Sequence, residues 1–149
     1  VAGTTFQDNV DLNLFYDQES RKFSEHGYIG LYKDKSIRAI GKLKKTIIAV
    51  EVEGKMTYRA ESGEAPTPDE ICRINEAIHR AEDYGYNLRT ISHRYFMVEK
   101  FYPIDFRKSS KNPIQKSKFF NLADMFGYKT MPDTEKIAAD LNGRTWEEF

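Results

Sequence analysis

Over the first 25 residues the apolar positions Phe6, Leu12, Leu14, Phe15 and Phe23 follow no single period. The pattern there predicts an irregular arm with one short element at 11 to 16. His26 to Tyr32 is a glycine-containing apolar run, Asp34-Lys35 interrupts it, and Ser36 to Gly41 resumes it, which predicts a hairpin. Gly30 and Gly41 within these runs point to bends or to close approach of another backbone. Residues 46 to 53 are strongly β-branched, and after Gly54 the segment Met56 to Ala60 reads as the returning strand.

The period then changes. Thr67-Pro68-Asp69-Glu70 is a capping box with proline at the first helical position, and Ile71, Ile74, Ile78 and Ala81 share one face, so a helix over 68–84 is predicted, ending at Gly85. Residues 94 to 101 return to strand and lead into a long loop through Pro103, Ser109, Ser110, Asn112 and Pro113. Such a loop is longer than a connector needs, which suggests a binding role. A last strand is expected at Lys118 to Asn121, a helical turn at Leu122 to Phe126, and a short helix from Asp133 to Leu141 stopped by Gly143. Strands, an inserted helix and further strands make an α+β domain, expected to close into a small mixed β-barrel.

With 149 residues, 40% of them apolar and 31% charged, the chain fits one globular domain. The expected layout is the arm at 1–25, the barrel at 26–122 and a helical extension at 123–149. A start at Val1 rather than methionine suggests part of a longer polypeptide. The single Cys72 excludes an internal disulfide or a cysteine zinc cluster, and His26, His79 and His93 show no ligand spacing, so neither metal nor cofactor is expected. No apolar run reaches the roughly 20 residues of a membrane span and no signal-peptide pattern opens the chain, so no membrane association and a cytoplasmic location are expected.

Charge changes the picture. The net charge is zero, yet residues 26–59 carry eight cations against three acids and residues 91–120 carry seven against two, each a net +5. The acidic remainder cancels them, so an anionic partner such as nucleic acid is the first to consider.

The strings HGYIGLY (26–32), SIRAIGKL (36–43), YFMVEKFY (95–102) and FRKSS (106–110) resemble a PUA-like domain of the EVE-related kind, over roughly residues 26–122. Such domains accompany nucleases and other effectors in prokaryotic restriction and defence proteins. The resemblance implies a barrel that holds one flipped or single-stranded base, often a modified one, in an aromatic-edged pocket. It also implies an effector domain on the same parent chain, and DNA ahead of RNA as the ligand. Recognition of this kind needs cations for phosphates, ring faces for stacking and small polar groups for the base edge. Many readers of methylated bases use a tryptophan cage, whereas Trp146 lies outside the matched region, so either any cage is built from Tyr and Phe or the ligand is something else.

Phosphate contacts are expected from Lys33, Lys35, Arg38, Arg107, Lys108 and Lys111, and stacking from Tyr32, Tyr102 or Phe106, with Ser109 and Ser110 in the same loop. Tyr28 and Tyr32 share one strand face and Ile29 and Leu31 the other. Arg38 is the best single candidate for an anion contact, though a surface pairing with Asp34 explains it almost as well, and Asp105 could instead anchor the loop by capping or by pairing Arg107. A second reading is a metal-dependent nuclease: Glu51, Glu53 and Lys55 would project from one strand face, as the Glu-x-Lys half of a nuclease signature requires. The upstream acid is missing, because Asp34 lies in a predicted turn. A third is a sensor pocket for a small nucleotide. Cys72 with His79, and Ser92-His93, lack the partners of a nucleophilic pair.

Overall fold

The computed structural model describes residues 3–23, 25–114 and 117–149. In chain order the elements are α1 (Phe6–Leu12), β1 (Leu14–Gln18), β2 (Tyr28–Lys33), β3 (Ser36–Val52), β4 (Lys55–Ser62), α2 (Pro68–Glu82), β5 (His93–Arg107), α3 (Leu122–Phe126), α4 (Thr134–Leu141) and a 3₁₀ turn (Trp146–Glu148). The five strands form one antiparallel sheet of mixed α+β architecture. No helix among the described residues is long and apolar enough to cross a membrane.

Strand β3 organises the sheet. The two strands expected at 36–41 and 46–53 are one element of 17 residues, paired with β5 along one side and with β2, then β4, along the other. Among the described residues strand β1 pairs only with β5, at Leu14–Gln18 against His93–Met97. The described strand pairings therefore leave β1 unjoined to β2 or β4, and the sheet is open where a closed barrel was expected.

Both hairpin turns have two residues with positive φ, 52° and 59° at Asp34-Lys35 and 50° and 78° at Glu53-Gly54. This is the primed geometry that matches strand twist. Gly41 stands where another backbone comes close: a Cβ there would lie 2.1 Å from Val98 Cγ1 and 2.8 Å from the Lys100 carbonyl oxygen. The β3–β5 register shifts on either side of it.

The expected irregular arm is instead a helix and a strand. Helix α1 escapes a period-based reading because it has only seven residues and because a core position is taken by Asn9, 1% exposed. Asn13, at φ 50°, ends the helix; its carbonyl accepts the Val98 N–H at 3.0 Å and its side chain accepts the Phe101 N–H at 3.1 Å. One residue thus satisfies β5 where the neighbouring ladder is irregular.

Strand β5 also runs past its expected end, from Phe101 to Arg107. Pro103, which signalled a loop, pairs with Ala39 in register. A proline is tolerated because beyond Val98 the described strands flank this part of β5 on one side only. The strand expected at 118–121 does not form, and residues 117–121 are irregular.

Helix α2 lays Ile74, Ala77, Ile78 and Ala81 on Leu14, Ile47, Ala49, Tyr95 and Met97. Its capping box is formed, with Thr67 Oγ1 accepting from the Glu70 N–H at 3.2 Å and Glu70 Oε1 accepting from the Thr67 N–H at 2.9 Å. Glu70 Oε1 also accepts from Lys45 Nζ at 2.8 Å, in an ion pair whose side chains are 1% and 4% exposed. Burial alone would raise the Glu70 carboxyl, but the hydrogen bonds from Lys45 and Thr67 outweigh it and hold the group below the usual range. At the other half of the sheet, Ile137, Ala138 and Leu141 of α4 and Trp146 cover Tyr32, Ile40, Ile104 and Phe106. Helix α1 brings Phe6 and Val10 to Leu31, Ala39, Val98 and Phe101 between these two cores.

Candidate nucleic-acid interface

The half of the sheet covered by α4 carries a cavity of about 460 Å³ between β2, Ile114 and residues 117–123. Its size lies within the roughly 300–1,000 Å³ of ordinary ligand sites. Aromatic residues dominate its wall, and they come from distant parts of the chain: Tyr28 and Tyr32 from β2, Phe96 and Phe106 from β5, Phe120 from the loop and Trp146 from the C-terminal turn. Glu25, Ser117, Lys118 and Asn121 supply polar groups. Asn121 Oδ1 accepts the Asp124 N–H at 3.2 Å and caps α3.

Tyr32, 5% exposed, is a wall and a fastener: its ring lies 5.8 Å from that of Trp146, and its hydroxyl accepts the Ile114 N–H at 3.1 Å, holding the loop over β2. Phe106, 1% exposed, is a core ring whose remaining surface faces the cavity, 5.4 Å from Phe120 and 6.3 Å from Trp146. Trp146 donates its indole N–H to the Phe106 carbonyl at 2.9 Å. The only tryptophan thus joins the cavity wall, contrary to the expectation of a cage without it. No local signal could have placed it there, since 40 residues separate it from Phe106. Tyr102 is elsewhere: it lines a smaller pocket with Lys42 and Asp133, under the Lys100 ammonium at 5.2 Å from its ring centre.

The cations sort into two groups. Several are spent on structure: Lys45 on Glu70, Arg59 on Glu19 at 2.8 Å, and Arg94 on both oxygens of Glu61 at 2.7 and 2.8 Å. Lys33 lies on the α1 side, 5.7 Å from the Phe6 ring centre. Lys35, Arg38, Arg107, Lys108 and Lys111 meet near the β2–β3 turn, where Ser36 pairs with Arg107 in register. Asp105 is their hub, with Arg38 at 3.7 Å and Arg107 at 3.4 Å, and it accepts from Ser36 Oγ at 2.6 Å. The Ser36 hydrogen bond, followed by the Arg107 and Arg38 charges, holds the Asp105 carboxyl below its ordinary range.

Arg38 does not pair with the Asp34 carboxylate. Its guanidinium donates to the Lys33 and Asp34 carbonyls at 3.0 and 3.2 Å and braces the positive-φ turn. Lys35 Nζ donates to the Lys111 carbonyl at 3.0 Å, and the Lys108 N–H to the Lys35 carbonyl at 2.8 Å, so the second basic segment is tied to the first. Lys108 Nζ contacts Ser110 Oγ. Ser109 donates its backbone N–H and hydroxyl to Glu147, whose carboxyl is held below its usual range by those bonds.

The acidic alternative loses its geometry. Strand β3 ends at Val52 and Glu53-Gly54 is a turn, so Glu51, Glu53 and Lys55 do not form a row on one strand face. Two residues of left-handed backbone break the alternation that the reading required. Among the described residues no group of three or more His, Cys, Asp or Glu side chains is placed to hold a metal ion. Compared with known proteins, the chain matches no family model, no curated protein and no solved structure.

Proposed function

We propose that this chain is a nucleic-acid recognition module that seats a base in the aromatic cavity and phosphates along the basic end of the β2–β3 hairpin. The observation that carries the reading is that the chain after β5, residues 107–114 and 117–120, serves both features. It leaves β5 among Arg107, Lys108 and Lys111, is pinned to Tyr32 at Ile114, and delivers Phe120 to Trp146. Base stacking on such rings is worth about 1–3 kcal/mol per base and tolerates any sequence, while cations along the backbone bring salt dependence. The PUA-like, EVE-related resemblance supports the same reading in its finer form: a barrel-derived reader of a modified base, DNA ahead of RNA, in a cytoplasmic restriction or defence protein that also carries an effector.

The test is a titration of the chain with modified and unmodified, single- and double-stranded oligonucleotides at two salt concentrations, read by Trp146 fluorescence. Binding that quenches Trp146 is expected. Replacing Arg107 and Lys108 by Ala should weaken it on every sequence and flatten the salt dependence by about two phosphates' worth. Absence of binding to all of these oligonucleotides refutes the reading.

A further inference from the structure

The rings that line the cavity fall into two groups. At one end Tyr32, Phe106, Phe120 and Trp146 touch one another, with Phe120 and Trp146 centred 5.1 Å apart. At the other end Phe96 lies 5.1 Å from Phe23 and 5.5 Å from His26, and His26 lies 6.3 Å from Phe119. No ring contact joins the groups among the described residues. What joins them is the backbone between two consecutive residues, since Phe119 turns to the second group and Phe120 to the first. Between the groups, Gly30 adds no side chain to the wall.

We infer that the cavity has two ring seats and takes two bases of one strand, resting on the base-binding reading above but differing from the single-base pocket that the family resemblance implies. Phe119 is 51% exposed, a surface that a large apolar ring gives up profitably only when something covers it. Lys118 stands where the strand would pass from one seat to the other, its ammonium 5.6 Å from the Phe120 ring centre. It is a cation at the place where an internucleotide phosphate would lie. A volume of about 460 Å³, with both groups opening onto it, gives room for more than one ring. Two ring groups that both line the cavity, one edged by the half-exposed Phe119, suit a splayed single strand, with each base adding its own stacking energy.

The experiment compares 5′-phosphorylated mononucleotides with di- and trinucleotides of the same base, for each of the four bases, and with strands of the same length that keep one base and are otherwise abasic. Affinity is read from Trp146 fluorescence and from thermal stabilisation of the whole chain. The expected result is that a di- or trinucleotide binds at least about fivefold tighter than both the mononucleotide and the one-base strand, the gain of one further stacked base. Phe119→Ala, at a half-exposed position, should bring the longer strand close to the one-base strand. Equal affinity of the mononucleotide and the longer strands overturns the two-seat inference and leaves base binding intact. A gain that survives in Phe119→Ala also overturns it. No response to any nucleotide overturns the base-binding reading itself, and this inference with it.

Discussion

Strands β3 and β5 pass through two regions built to different standards of closure. In the first, α2 seals them with four small or branched apolar residues, and a charged pair inside, Lys45 with Glu70, is almost fully withdrawn from water. In the second, α4, the C-terminal turn and an irregular loop cover the same strands with large rings that leave a cavity. A regular helix on a regular strand pair packs densely, whereas rings contributed by separate segments cannot all interdigitate. The difference shows where one sheet can spare space for a ligand: beside the cover made of loops, away from the cover made of a helix.

The largest effect should come from breaking the sealed region. Lys45→Met leaves the Glu70 carboxylate buried without its cation and should cost about 3–5 kcal/mol in urea unfolding. Adding Glu70→Leu should return much of that loss, because the unpaired charge is removed. A single mutant as stable as the parent would show the pair to be solvated and the closure overstated. Next comes the junction of the regions. Gly41→Ala forces a Cβ against Val98 and the Lys100 backbone and should cost about 1–3 kcal/mol. Amide exchange should then quicken in both regions together if β3 couples them, and in one alone if it does not.

The smallest effect belongs to the open region and depends on pH. Asp105 has a folded pKa depressed below its unfolded value, so its contribution is fully present above about pH 4 and is lost as the pH falls through the folded value. Asp105→Asn should therefore flatten the acid side of the melting-temperature profile, below about pH 4, relative to the parent. The same change frees Arg38 and Arg107 from their shared acid and should raise affinity for single-stranded DNA at low salt, with a steeper salt slope. A lower affinity would mean that Asp105 positions those cations for the ligand.

Much of the local architecture was legible in the residues. Thr67-Pro68-Asp69-Glu70 announced α2 because a capping box and an N-terminal proline act within one turn, and Asp133 announced α4 as its N-cap. The β2–β3 hairpin followed from alternation broken at Asp34-Lys35, and the close approach at Gly41 from a glycine inside an apolar strand. The candidate site was legible only in part. Lys35, Arg38, Arg107, Lys108 and Lys111 do gather, since strand pairing sets Ser36 beside Arg107. Tyr102 and Lys33 do not line the cavity, and Phe119, Phe120, Lys118 and Trp146 do. Composition counted the cations without showing that Lys45, Arg59 and Arg94 are committed to acids far along the chain.

By itself the sequence determined the elements whose causes lie within a few residues: caps, primed turns, alternating strands and the α+β class. Tertiary structure decided that β3 is one strand, that the sheet stays open, that Lys45 goes inside and that Trp146 reaches the cavity. Each of these rests on pairing or packing between segments tens of residues apart, where the free energy belongs to the contact and no local pattern records it.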